Sequence, residues 1–144
     1  MAEFLRPMQP TSGEWRNAKA GEEGSMKAVH VSASEVDKVK KTADWGSQVW
    51  LANKSLSGAA LAVTRLTIHP GKSGERHRHP GSDEVLILFR GKVCVHTPTE
   101  DFMVQPGDGL TILGGLTHQI ENVGDEDADM VLVYSSGDRK YVAE

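Results

Sequence analysis

The sequence predicts an all-β fold, an antiparallel barrel or sandwich, and three observations carry that prediction. Eight short segments rich in Val, Ile, Leu and Thr lie between residues 48 and 135, turn residues separate nearly all of them, and no long stretch of helical period intervenes. Short strands at this spacing close on themselves or stack as two sheets, whereas parallel sheets need a helix between strands. No half of the chain is a copy of the other, so one barrel is expected.

Taken in order, residues 1–25 mix Pro, Gly, Ser and charge without a sustained apolar period and read as a flexible N-terminal arm. Trp15 within it either packs onto the body or a neighbouring subunit, or stays partly exposed. Residues 26–144 then form the single barrel domain. Lys27 to Val31 suits a short strand, and Ser34 can cap a brief helix over Glu35 to Lys41. The eight expected strands are Gln48 to Ala52, Ala60 to His69, Glu84 to Phe89, Lys92 to Thr97, Asp101 to Val104, Leu110 to Leu113, His118 to Asn122 and Met130 to Ser135. Turns such as His69-Pro70-Gly71, Pro80-Gly81-Ser82-Asp83 and Pro106-Gly107-Asp108-Gly109 punctuate them.

Composition narrows the partners. A formal charge of −4 and no basic stripe give no attraction for phosphate backbones, so nucleic acid is not expected. No run approaches the eighteen or so apolar residues that cross a bilayer, and the opening MAEFLRPMQP lacks the apolar stretch of a secretory signal. No membrane partner and a cytoplasmic location follow as expectations. The lone Cys94 forms no internal disulfide and reads as a small apolar strand residue.

One constellation carries chemistry. His77 and His79 are two apart, so on a strand both imidazoles face one side while Arg78 points away. Four turn residues follow, and Glu84 opens the next strand, so a hairpin returns its carboxylate towards His79. Two imidazoles and a carboxylate suit a divalent cation, although a surface pair of histidines beside an unrelated glutamate would read the same in isolation.

Longer patterns separate the two readings. Gly71, five residues, His77, one, His79, four, Glu84, six, Gly91 resembles the first motif of the cupin family at every defining position. Gly107, five residues, Leu113, one, Gly115, two, His118, three, Asn122 resembles its second motif, with Leu113 where the family usually has proline. Gly114-Gly115 can still make that turn, so the fold is expected to survive. The resemblance spans residues 60 to about 135 and implies a double-stranded β-helix, the jelly-roll barrel of cupins. It further implies one metal ion, Fe, Mn, Ni or Zn, held by His77, His79, Glu84 and His118 with positions left open for water or substrate. Gly71, Gly91, Gly107 and Gly115 read as backbone punctuation and Asn122 as a structural hydrogen-bonder.

Four ligands on a five- or six-coordinate ion leave one or two exchangeable sites, the condition for catalysis. The leading expectation is therefore a metal-dependent small-molecule enzyme, with a dioxygenase on an enol, phenol or diketone in front. A redox-neutral sugar or organic-acid isomerase, epimerase or lyase, with Glu84 as catalytic base, is the alternative, and a non-catalytic small-ligand module is a third. Leu86 and Leu88 share the face of Glu84 and would make the pocket partly apolar. Arg65, Arg76, Arg78 and Arg90 flank the first motif, and any of them could clamp a substrate carboxylate, but solvated surface arginine is the commoner role. His69 and His96 are left outside the site, and the acidic stretch Asp125 to Asp129 reads as a solvated hairpin tip rather than a calcium loop. Similar cupins are commonly dimers, so a homodimer is expected.

Overall fold

The period of two that marks a half-buried strand is carried through to the structure, a computed structural model that describes residues 27–144. Among them, helices α1 (Ala33–Lys38) and α2 (Lys54–Ser57) accompany eleven strands: β1 (Lys41–Ala43), β2 (Gly46–Ala52), β3 (Ala62–Ile68), β4 (His77–Arg78), β5 (Glu84–Arg90), β6 (Val93–His96), β7 (Asp101–Val104), β8 (Gly109–Ile112), β9 (Gln119–Asn122), β10 (Ala128–Tyr134) and β11 (Val142–Ala143). Every one of the eight strands expected from the sequence is present within a few residues of its expected bounds.

Six strands form one antiparallel sheet in the order β1-β2-β3-β10-β5-β8, and three form a second in the order β7-β6-β9. Strand β10 lies between β3 and β5 because its alternation buries Ala128, Met130, Leu132 and Tyr134 opposite the buried residues of both neighbours. The inward residues of the two sheets make one core, with Leu66, Ile68, Leu86, Leu88, Met130 and Leu132 from the larger sheet and Val93, Val95, Val104 and Ile120 from the smaller. Each large aliphatic side chain buried in this way contributes about 2 kcal/mol of transfer free energy. Residues 71–77 run antiparallel to β9 through the bonds Gly71 N to Asn122 O, Gly74 N to Ile120 O and His77 N to His118 O. Strand β11 then pairs with β4, so the end of the chain lies beside the histidine strand.

The motif residues punctuate as expected. Gly71, Gly91, Gly107 and Gly115 all have positive φ. Gly91 is doubly constrained, since φ is +87° and a Cβ there would lie 2.8 Å from the Ala128 Cα. At the missing proline, Leu113 is exposed and the turn closes through Leu116 N to Leu113 O, with Gly114 N bonded to Asp83 Oδ1 and Gly115 N to His79 O. Buried Asn122 donates to Ile68 O and Glu126 O and accepts from Gly124 N, so its amide ties three backbone segments together.

Two expectations are corrected. The helix begins two residues earlier than Ser34 implied: Ser32 is the cap, its hydroxyl accepting from Glu35 N while the Glu35 carboxylate accepts from Ser32 N, and the helix ends at Lys38. That reciprocal box outcompetes a cap at Ser34, and Lys41 becomes the first residue of β1. Residues 27–31 form no strand, because no ladder partner pairs with them among the described residues. The expected arm over residues 1–25, and Trp15 in it, lie outside the described residues. All the elements named above belong to the unit Val31–Glu144. No helix among the described residues is long and apolar enough to cross a membrane.

Candidate metal centre

Three strands deliver four side chains to one point. His77 and His79 leave β4 on the same face, Glu84 opens β5 beyond the turn, and His118 stands immediately before β9, bridged to His77 through paired backbone bonds. Arg78 between the histidines is exposed, as the alternation requires. One donor atom from each of the four lies within 4.8 Å of the others. His79, Glu84 and His118 are at most 2% exposed, and His77 is half-buried.

Hydrogen bonding fixes which ring atoms face inward. His77 Nδ1 is 2.7 Å from Glu75 O, His79 Nδ1 is 2.8 Å from Lys140 O and His118 Nδ1 is 2.8 Å from Leu116 O. A carbonyl oxygen only accepts, so each Nδ1 carries the ring proton, and in the neutral imidazole Nε2 is left with a lone pair. Those lone pairs converge. His77 Nε2 lies 3.1 Å from His79 Nε2, and Glu84 Oε2 lies 3.0 Å from His118 Nε2 and 3.2 Å from His79 Nε2. Both Glu84 oxygens and His118 Nε2 are buried and close to their neighbours, yet none makes a hydrogen bond of acceptable geometry. Acceptors packed at this distance repel unless a positive charge sits among them, and this donor set, three imidazole nitrogens and a carboxylate with each imidazole held from behind by a carbonyl, fits a divalent cation.

Electrostatics agree. Burial pushes His77 down to about 4, so it is neutral near pH 7. Burial would raise Glu84, but the neighbouring His118 and His79 outweigh it and hold the carboxyl at about 2, fully ionised. Burial likewise depresses His118, but contact with Glu84 overrides it and raises the imidazole above its ordinary value, so that a proton competes for the place a cation would take.

The cluster opens into a cavity of about 300 Å³ lined by His77, Glu84, Tyr134, Tyr141 and Arg139 along with the apolar Leu66, Ile68, Ile120 and Leu132. The apolar character expected for this pocket is present but comes from β3, β9 and β10. Leu86 and Leu88 share the face of Glu84 and are wholly buried in the core instead. The flanking arginines lie elsewhere: Arg65 is bonded to Asp129, Arg90 to Glu126 and Arg76 to Glu144 on the surface. His69 likewise meets Asp127, and His96 meets Asp101. Within the acidic hairpin, Asp129 and Glu126 thus pair with surface arginines and Asp127 with the His69 ring.

Sequence reasoning missed the C-terminal segment. Tyr141 stacks on His77 with ring centroids 4.7 Å apart and planes 17° from parallel, and its hydroxyl donates to Glu75 Oε2 at 2.7 Å. Tyr134 meets His79 edge-on at 5.0 Å. The inward alternation of β10 could have flagged Tyr134, but nothing in the spacing of residues 135–144 marks them as a wall of the site.

Comparison with known proteins accords with this geometry. A family model described as Cupin domain matches residues 64–134, a span that holds all four clustered residues and stops short of Arg139 and Tyr141. The chain is 28% identical over 83 residues to the oxalate-binding protein of Thermotoga maritima, covering 58% of this chain and 69% of that protein. It is 37% identical over 71 residues to the polyketide synthase CurC of Streptomyces cyaneus, covering 49% of this chain and only 44% of that protein. The solved structure of oxalate decarboxylase from Bacillus subtilis at pH 4.6 superposes with a TM-score of 0.69 at 20% identity, over 76% of this chain and 30% of that one, a likeness of fold.

Proposed function

The chain belongs to the cupin family and has its jelly-roll barrel, and from that premise we propose that it is a metal-dependent enzyme acting on a small oxygenated molecule. His77, His79 and His118 would hold one divalent cation through Nε2, together with the Glu84 carboxylate. The observation that carries this reading is the close packing of inward-facing Nε2 atoms against an ionised, buried carboxylate. A bound Fe, Mn, Ni or Zn ion would supply a Lewis acid with exchangeable positions and, for Fe(II), a centre able to use dioxygen.

The chain's own groups do the rest. Carbonyls of Glu75, Leu116 and Lys140 lock the imidazoles in one tautomer and one orientation. Leu66, Ile68, Ile120 and Leu132 keep water from the reacting end of a ligand and favour an apolar body over a bare polyol. This supports an enol, phenol or diketone, and hence the dioxygenase subtype. Glu84, with its carboxyl held at about 2, is a weak base, so we assign it as a ligand and place the isomerase, epimerase or lyase reading behind. The name of the Thermotoga maritima relative favours one second reading, a protein that binds a small acid without turning it over.

Reconstitution with Fe(II), Mn, Ni and Zn, followed by oxygen uptake with chelating enols, tests the proposal. Stoichiometric metal with oxygen uptake supports the dioxygenase. Metal with a ligand recovered chemically unchanged under every condition would move the assignment to the binding module. A homodimer, expected from the family resemblance, is tested by the mass in solution.

A further inference from the structure

Among the described residues Arg139 is the arginine that lines the cavity, and its surroundings differ from those of the surface arginines. Its Cζ lies 4.7 Å from the ring centroid of Tyr134, 4.8 Å from that of Trp50 and 5.6 Å from that of Tyr141. Whereas Arg65, Arg76 and Arg90 each meet a carboxylate, Arg139 is in no ion pair among the described residues. Its Nε is buried and has no hydrogen-bond partner. Contact with ring faces stabilises the cation but satisfies none of its in-plane N–H donors, and a buried, unpaired donor of a charged group is costly. The aromatic cage therefore holds the guanidinium in a fixed plane with donors still to spend.

Arg139 borders two spaces, a surface depression shared with Trp50, Asn53 and Lys54, and the cavity of the histidine cluster. Arg139 lines the same space of about 300 Å³ as His77 and Glu84, and Tyr134 stands between, in T-shaped contact with the His79 ring and lying under the guanidinium. A molecule occupying that space meets two groups that would attract an anion, a loaded cation site and Arg139, in a wall of aliphatic residues that also carries Gln48 and Glu75, the latter bonded to the Tyr141 hydroxyl. Planar guanidinium with free N–H groups is matched by carboxylate, which accepts two parallel charge-assisted bonds. A neutral chelator leaves those donors unmet.

We propose that Arg139 is the specificity-determining residue of the pocket, binding the carboxylate of a small acid whose other oxygens reach the cation held by His77, His79, Glu84 and His118. The proposal rests on the metal reading above and narrows it to anionic ligands. Arg139 lies beyond residues 64–134, the span shared with the family model, so the selection belongs to the C-terminal segment of this chain and not to the common barrel.

The test is calorimetric binding of oxalate, malonate and succinate, each alongside its dimethyl ester, which carries no carboxylate, to zinc-loaded protein. The dicarboxylate that binds tightest to the native chain is expected to lose roughly 10- to 100-fold in affinity in Arg139→Met, with its ester changed by less than about twofold. Arg139→Lys, which keeps the charge but not the two-pronged geometry, falls between. Zinc content and thermal midpoint are measured on every variant, so that a merely structural role, which would lower both and weaken acid and ester alike, is told apart; Arg139→Gln replaces the Met variant if that one does not fold. If no dicarboxylate binds, or if acid and ester weaken equally, the proposal is overturned while the metal reading stands. A chain that takes up no zinc overturns the metal reading, and this proposal with it.

Discussion

Adding zinc at about a hundred times its dissociation constant should stabilise the protein by about 2.7 kcal/mol over the chelator-treated form, because a ligand bound only by the folded state adds RT ln(1 + [L]/Kd). The structure supplies the reason that folded and unfolded states differ so much. Both Glu84 oxygens and His118 Nε2 are buried without a hydrogen bond, and each such atom costs about 1–3 kcal/mol until something satisfies it. A cation satisfies all three at once and removes the repulsion between His77 Nε2 and His79 Nε2 at 3.1 Å. Unfolding entropy near 2.1 cal/mol/K per residue, taken over the roughly 110 residues of Val31–Glu144, converts this gain into about 10 °C of thermal midpoint. Differential scanning calorimetry with and without EDTA reads it directly. In a His77→Ala, His118→Ala double variant the zinc shift should vanish. Cys94→Ser should keep it, since Cys94, His96 and Asp101 form the other cluster of ligating groups among the described residues. An equal shift in native and double-variant protein would refute the reasoning, as would a shift abolished by Cys94→Ser.

Three further outcomes follow from the fold. Gly91→Ala forces a Cβ to 2.8 Å from the Ala128 Cα at a φ of +87°, so it should lower stability by about 2 kcal/mol or more in urea denaturation. Asn122→Ala removes a buried amide that serves Ile68 O, Glu126 O and Gly124 N, and by the same measurement should cost about 2–4 kcal/mol while leaving metal content unchanged. His96 is raised above the ordinary imidazole value by its bond to Asp101, so the charged form is favoured in the folded state: its contribution to stability is present below the unfolded value and fades as pH rises through the folded one. NMR titration should show a midpoint above that of a free histidine, returning towards it in Asp101→Asn.

The barrel was legible because strand period is a local signal. Segments such as Ala62–Ile68 and Ala128–Tyr134 alternate cleanly, and each meets a neighbour that alternates in phase. The convergence of four side chains was legible for a related reason: His77 and His79 are tied by the pleat, and Glu84 and His118 stand at fixed motif distances. Capping was read two residues late, because Ser32 and Ser34 both offer a hydroxyl and only the reciprocal bond to Glu35 decides between them. The pocket wall was not legible at all. Tyr141 and Arg139 reach the site through the pairing of β11 with β4, residues more than sixty positions apart with no pattern to announce the contact. The arginines near the motif drew attention by position, yet sequence proximity put them on the outward face.

The central claim is that His77, His79, Glu84 and His118 enclose one cation. Anomalous diffraction from crystals of zinc-loaded protein tests it most directly. A single strong peak is expected roughly 2.0–2.3 Å from the three Nε2 atoms and a Glu84 oxygen. A peak only at Cys94 and His96, or none within reach of Glu84, would contradict it.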